Sequence, residues 1–307
     1  MKTTPWQELT QAQLDWSYLQ SNHAPNMAEV SQRCELQSEK NRAWLKEHPA
    51  LGTEQTFAYD TQSQNTLEWY SPKAREIKDQ KEQLAPIVFF VHGGAWKSGH
   101  SQAYALPMKW LLERGVHLVV PNFSAVTDCE GDLNVLLSEL QKALAFCASH
   151  ALTQGADPQL IHVLGHSSGA HLAACLKVSD WSAAHLEGPH ISSLLLVSGM
   201  YDLEAVSHSS RSEYVNFTPE TVNAMSPERH LERFLSPKDL KVTLCCGTKE
   251  SPEFIRQSSS MHEALQSQGV RAEMIWCNGI NHFEILEQLC EVSCEVSQAL
   301  LMHLNTH

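Results

Sequence analysis

Residues 160–176 read Leu-Ile-His-Val-Leu-Gly-His-Ser-Ser-Gly-Ala-His-Leu-Ala-Ala-Cys-Leu. The first five form an apolar run suited to a strand buried on both faces. The pentapeptide Gly165-His166-Ser167-Ser168-Gly169 breaks that run, and helix-forming residues follow at once. A GxSxG pentapeptide recurs by chance, and a serine turn can merely start a helix. Strand, turn and helix in this order, however, are the context that lifts a serine hydroxyl above the end of a sheet. Backbones crowd at such a turn, so Gly165 and Gly169 avoid Cβ clashes, and the helix that follows aims its N-terminal N–H groups at developing negative charge.

Working outward, the same alternation repeats. Apolar runs at 87–91, 117–121, 160–164, 194–197, 242–246 and 274–276 alternate with helix-like segments at 103–114, 133–151, 168–178, 253–268 and from about 283 onward. Strands buried on both faces and separated by helices predict an α/β fold with a mostly parallel central sheet and right-handed crossovers. Short alternating runs at 56–59 and 66–70 predict an antiparallel hairpin on a sheet edge, and a charged stretch, 73–83, leads into the first buried run. Helix-period apolar positions across 7–47 predict an N-terminal helical segment within residues 1–50. Residues 180–190 and 204–234, rich in Ser, His, Pro and charge, are expected to be excursions over the active edge of the sheet. A chain of 307 residues with 42% hydrophobic content is consistent with one domain spanning 1–307.

Composition narrows the function. With 22 Lys and Arg against 35 Asp and Glu, the formal net charge is -13, which repels phosphate backbones and anionic membranes. Nucleic acid and membrane are therefore not expected partners. The N-terminus lacks the apolar core of a secretory signal, and no stretch approaches the roughly 20 apolar residues of a membrane span. Nine cysteines without a CxxC pair fit reduced, buried thiols and a cytoplasmic location. The adjacent Cys245 and Cys246 read as core residues of a strand. His166 and His171 flank the elbow, but no HExxH or Cys/His cluster accompanies them, so packing is expected of both and no metal or other cofactor is implied. The expected partner is a small-molecule substrate, with a homodimer as the candidate assembly.

Ser167 in this setting needs an oxyanion hole, a base and an orienting acid. His92-Gly93-Gly94-Ala95-Trp96 closes the first buried run, and a glycine-rich loop there can offer bare backbone N–H groups to a tetrahedral oxyanion. Gly94, Ala95 and Ser168 are assigned as its donors. The base follows from chain order, which in such folds runs nucleophile, acid, histidine. Of 17 histidines, His282 occupies the polar loop Asn278-Gly279-Ile280-Asn281-His282-Phe283 between the last apolar run and the last helix. For the acid, Glu250 lies four residues beyond run 242–246. Asp202, after the preceding run, and Glu253, where an acid also suits a helix start, remain alternatives.

These motifs resemble one branch of the α/β-hydrolase family, the kynurenine formamidases or arylformamidases. The resemblance rests on HGGAW (92–96), GHSSGAHLAACLKVSDW (165–181), VSGMYDLE (197–204), SPERHL (226–231), GTKESPEFIRQS (247–258) and NHFEIL (281–286), and it spans roughly 87–290. The Trp of HGGAW, where many lipases and esterases continue in glycine, is the most discriminating position. The resemblance implies hydrolysis of a small aryl formamide such as N-formylkynurenine, a place in tryptophan catabolism, and Ser167, Glu250 and His282 as nucleophile, acid and base. Two positions depart from the pattern: Glu250 stands where Asp is usual and Ser168 where Ala is common. A carboxylesterase acting on short acyl or aryl esters is the alternative, since the same groups cleave esters. A non-catalytic ligand receptor would not need to keep nucleophile, base and oxyanion loop together. Trp96, Phe123, Tyr201 and Phe283, next to the motifs, are expected to line an aromatic pocket, and the first 50 residues to shape its entrance.

Overall fold

In the computed structural model, which describes residues 5–61, 65–73 and 84–305, the chain opens with α1 (Gln11–Tyr18) and α2 (Met27–Glu47). It continues through β1 (Gly52–Ala58), β2 (Thr66–Pro72), β3 (Ala85–Val91), α3 (Met108–Glu113), β4 (His117–Pro121), α4 (Leu133–His150), β5 (Ala156–His166) and α5 (Ser168–Val178). The remainder is β6 (Ile191–Val197), α6 (Leu203–Ser207), α7 (Pro219–Ala224), β7 (Lys241–Gly247), α8 (Pro252–Ser267), β8 (Arg271–Cys277), α9 (Glu284–Glu287) and α10 (Glu295–Leu304). The charged stretch 73–83 lies, beyond Lys73, outside the described residues, as do Met1–Thr4 of the N-terminus.

One sheet of eight strands runs in the order β1-β2-β4-β3-β5-β6-β7-β8. The β1–β2 hairpin is antiparallel and β2 pairs antiparallel with β4, while every other pairing is parallel. This is the α/β-hydrolase fold. Helices cover both faces, and β3 shows why its residues must all be apolar: Ile87, Phe89 and Val91 pack into one core, and Val88 and Phe90 into the other. The connection leaving β3 leads to β4 on one side, and the connection leaving β5 leads to β6 on the other. A crevice therefore opens beyond the carboxyl ends of β3 and β5, the switch point at which open α/β sheets bind ligands. The two loops that enter this crevice are the HGGAW loop and the Ser167 turn.

Three expectations need correction. Helix 103–114 is broken into a 3-10 turn (Ser101–Tyr104) and α3, because Pro107 cannot continue a helix and restricts Leu106 before it. The C-terminal helix from 283 is a single turn, α9, followed by α10. Here the side chains of Gln288 and Ser297 bond backbone groups, with Glu295 N–H donating to Gln288 Oε1 at 3.2 Å and Ser297 Oγ donating to Gln288 O at 2.8 Å, which competes with helix continuation. Residues 180–190 lie at the edge opposite Ser167: they join the end of α5 to the start of β6, beside a cavity of about 560 Å³ lined by Gln159, Trp181 and Ile191. A crossover helix that starts at the carboxyl ends of a parallel sheet has to finish at the amino ends. The segment 204–234 follows β6 at its carboxyl end, and Arg211 and Tyr214 within it line the cavity that also holds Ser167.

The turn is held by backbone contact. A Cβ on Gly169 would meet Val91 O at 2.2 Å and His92 O at 2.3 Å. Gly169→Ala is therefore expected to lower unfolding free energy by about 3 kcal/mol or more, measured by urea denaturation; a loss below about 1 kcal/mol would show that these backbones can separate.

Candidate active site

Ser167 occupies the turn between β5 and α5 at φ 56, ψ -124, a region that a residue with a side chain avoids unless its surroundings impose it. The surroundings do so by hydrogen bonding. Ser167 N–H donates to Val197 O at 2.8 Å, continuing the sheet, while its carbonyl accepts from Ala170 N–H and His171 N–H at 3.0 and 3.2 Å to open α5. The hydroxyl is thus presented above β5. His282 Nε2 lies 2.8 Å from Ser167 Oγ, and His282 Nδ1 lies 2.7 Å from Glu250 Oε2, with all three residues buried. An ionised carboxylate only accepts, so Nδ1 carries the proton and Nε2 is left to accept from the serine hydroxyl. Phe254 and Phe283 meet the imidazole edge-on, with ring centroids 4.9 and 5.4 Å away, and fix its plane.

Of the three candidate acids, the structure brings Glu250 to the histidine and not the other two. Asp202 caps α6 by accepting from Glu204 N–H and pairs with Arg229. Glu253, in the first turn of α8, accepts from Tyr18 OH at 2.7 Å and pairs with Arg256. The longer stem of Glu250 spans the gap from its turn, and its second oxygen accepts from Ser198 Oγ at 2.6 Å and Gly247 N–H at 2.8 Å. Burial opposes the charge of Glu250. The charge of His282 and the bonds from His282, Ser198 and Gly247 outweigh that effect and hold the carboxyl below its ordinary 4.5. Sequence reasoning missed Ser198. Its signal was the Ser of VSGM directly after a buried run, and it stands at φ 56 at the end of β6.

The HGGAW loop passes through three successive positive φ values, 126, 55 and 63 at Gly94, Ala95 and Trp96. Gly94 cannot be replaced cheaply, since a Cβ there would lie 1.9 Å from Ser98 O. Gly94 and Ala95 line the same cavity as Ser167. Ser168 is the first residue of α5, where N–H groups have no intrahelical acceptor. Its hydroxyl has a task as well: it accepts from Trp96 N–H at 3.1 Å and so ties the loop to the elbow helix.

The predicted aromatic pocket is largely corrected. Phe283 lines the cavity, but Trp96, Phe123 and Tyr201 do not. Trp96 is 2% exposed and donates through Nε1 to His171 Nδ1 at 3.2 Å, stapling the loop to α5. Phe123 stacks on His92 at 4.4 Å, and Tyr201 is fully buried beside Gly199. Each lies near a motif in sequence while its side chain packs outside the cavity lining. His166 and His171 pack as expected, with their Nε2 atoms bonded to His282 O at 3.0 Å and Met225 O at 2.7 Å.

The cavity over Ser167 measures about 780 Å³. Its roof comes from the N-terminal segment, through Tyr18, Gln20, Met27 and Glu35, and from the segment after β6, through Arg211 and Tyr214. The two are tied together: Gln11 Nε2 donates to His208 O at 2.7 Å, and Ser210 N–H donates to Asp15 Oδ1 at 2.6 Å. The far end of the roof is fixed by Asn26 to Glu284 at 2.7 Å and by the paired Arg33–Glu287 bonds.

Several known proteins are similar to this chain. The BD-FAE family model matches residues 74–265. A kynurenine formamidase of Danio rerio is 27% identical over 96% of this chain and 97% of its own length. An isoprenylcysteine alpha-carbonyl methylesterase of Arabidopsis thaliana is 25% identical over 76% of this chain and 57% of its own. Esterase B from Lactobacillus rhamnosis, solved with a tributyrin phosphonate, superposes with a TM-score of 0.68 at 16% identity, covering 91% of this chain and 95% of that one. The last likeness concerns the fold alone. The relatives bear out the resemblance read from the motifs.

The buried histidines set an acid limit on the fold. Burial pushes His92 and His171 down to about 4, and burial together with the charge of His282 pushes His166 down to about 3, from an ordinary 6.5. Because these values are lowered, the unfolded chain takes up protons first; the stability is complete above pH 6.5 and is lost as pH falls toward 4. The urea midpoint is expected to fall between about pH 7.5 and about pH 5, and an unchanged midpoint would show that these imidazoles are solvated or paired.

Proposed function

The chain belongs to the BD-FAE family and is a hydrolase of the α/β-hydrolase fold; on that premise we propose that it cleaves small aryl formamides such as N-formylkynurenine, with Ser167, His282 and Glu250 as a catalytic triad. The observation that carries this reading is the hydrogen-bonded line from Ser167 through His282 to Glu250, opening on a cavity of about 780 Å³, a volume typical of small-molecule sites. Likeness to the Danio rerio kynurenine formamidase over 96% of the chain supports the formamide as substrate.

In this mechanism Ser167 Oγ attacks the formyl carbon as His282 Nε2 takes its proton. Glu250 holds the imidazole in the required tautomer and stabilises the imidazolium that forms. The oxyanion is bound by the N–H groups of Gly94, Ala95 and Ser168. His282 then protonates the arylamine nitrogen as the C–N bond breaks, leaving a formyl ester on Ser167. Water enters, gives its proton to His282 and releases formate, and the proton returns to Ser167.

An esterase reading is favoured by one observation, the likeness to the Arabidopsis thaliana methylesterase over 76% of the chain. The same residues would act, with an alcohol as leaving group. The two readings are separated by kcat/KM for N-formylkynurenine against p-nitrophenyl acetate, with Ser167→Ala as the blank. Formamidase function predicts a ratio well above one, with turnover of both substrates in Ser167→Ala reduced by about a thousandfold or more. A ratio far below one would make the protein an esterase, and turnover retained in Ser167→Ala would mean that the nucleophile is elsewhere.

A further inference from the structure

The roof of the cavity holds a charge that the mechanism does not use. Arg211 is only 6% exposed, yet among the described residues no carboxylate pairs with its guanidinium. Its Nη1 donates to Tyr214 OH at 2.9 Å and its Nη2 to Tyr18 O at 3.0 Å, both neutral acceptors, and Nε has no partner. The guanidinium also lies 5.3 Å from the ring centroid of Trp96, the residue that follows the assigned oxyanion donors. Nearby acids are engaged elsewhere: Asp15 accepts from Ser210 N–H and Gln11, and Glu253 is paired with Arg256. Glu35 and Glu213 also line the cavity, but neither forms an ion pair with Arg211 among the described residues.

A buried charge without a counterion is costly, and arginine is well suited to relieve that cost by binding a carboxylate through its planar fork. Arg211 and Ser167 face one cavity. We propose that Arg211 is a specificity residue that receives the carboxylate of the substrate, so that this hydrolase acts on acyl aryl compounds carrying an anionic side chain. The inference rests on the reading that Ser167 is the reacting group of a small-molecule hydrolase. N-Formylkynurenine, an α-amino acid, has such a carboxylate. Long-range electrostatics oppose the proposed preference, because a net charge of -13 repels anions. A preference for the anionic member of a substrate pair therefore requires a local cation. Lys97 also lines the cavity, but it is exposed, so water screens its charge.

Two matched pairs test this. One is N-formylkynurenine against its α-carboxamide; the other, free of formamide chemistry, is 3-(2-acetoxyphenyl)propanoate against 3-(2-acetoxyphenyl)propanamide. In the wild type kcat/KM is expected to favour the carboxylate member by about tenfold or more, mainly through KM. Arg211→Met should bring that ratio to one or below, and Arg211→Lys should keep part of it. If Arg211→Met does not fold, calorimetric binding of the product analogue 4-(2-aminophenyl)-4-oxobutanoate and its primary amide to wild type and Arg211→Lys makes the same comparison. A wild-type preference for the carboxylate that weakens in Arg211→Lys sustains the role of the fork. Discrimination in the ester pair without turnover of either formamide would sustain the role of Arg211 while refuting the formamide reading. A ratio of one or less in wild type, or a preference that survives Arg211→Met and is lost in Lys97→Met, would overturn the inference.

Discussion

Everything at the candidate site depends on the close approach of three backbones around Ser167. The end of β5, the start of α5 and the HGGAW loop are packed so tightly that a Cβ on Gly165 would lie 2.5 Å from Gly169 O, and one on Gly93 2.9 Å from His166 Nδ1. Glycine at these positions permits the contact, and the sheet bond from Ser167 N–H to Val197 O maintains it. The strained φ of Ser167 is thus sustained by neighbours that cannot move apart independently. Trp96 and Ser168 complete the clamp, one through its indole and the other through a hydroxyl that a family-typical alanine would lack.

A second layer converts this geometry into chemistry. Glu250 is buried, yet it stays ionised because His282, Ser198 and Gly247 supply donors from the carboxyl ends of β8, β6 and β7. Preorganised donors of this kind do not reorganise during reaction, which is where such sites draw much of their rate. Around them, neutral buried histidines act as structural hydrogen-bonding groups: His166 supports the backbone of His282, and His171 receives the indole of Trp96.

Much of this was legible in sequence wherever the signal was local. Ser167 and His282 could be found because strand, turn and helix occur consecutively around them. Glu250 could be singled out because it follows a recognisable strand, although only the structure shows Asp202 and Glu253 engaged elsewhere, in a cap and in an ion pair with Arg256. What was not legible depended on direction and on distance along the chain. Trp96, Phe123 and Tyr201 adjoin motifs in sequence, but their side chains turn away from the cavity. Residues 180–190 looked like a loop over the site, whereas the run of α5 from the carboxyl to the amino ends of the strands carries them to the other edge. Arg211 lies in an aperiodic segment, and its meaning emerges only from the unpaired burial that α1 imposes.

Ser167 as the activated nucleophile of this arrangement is open to a chemical check, reaction with a fluorophosphonate followed by intact mass and peptide mapping. A single adduct on Ser167 is expected, formed by the wild type and lost in His282→Asn. Absence of reaction in the wild type, or an adduct carried by Ser168 or Ser198, would contradict it.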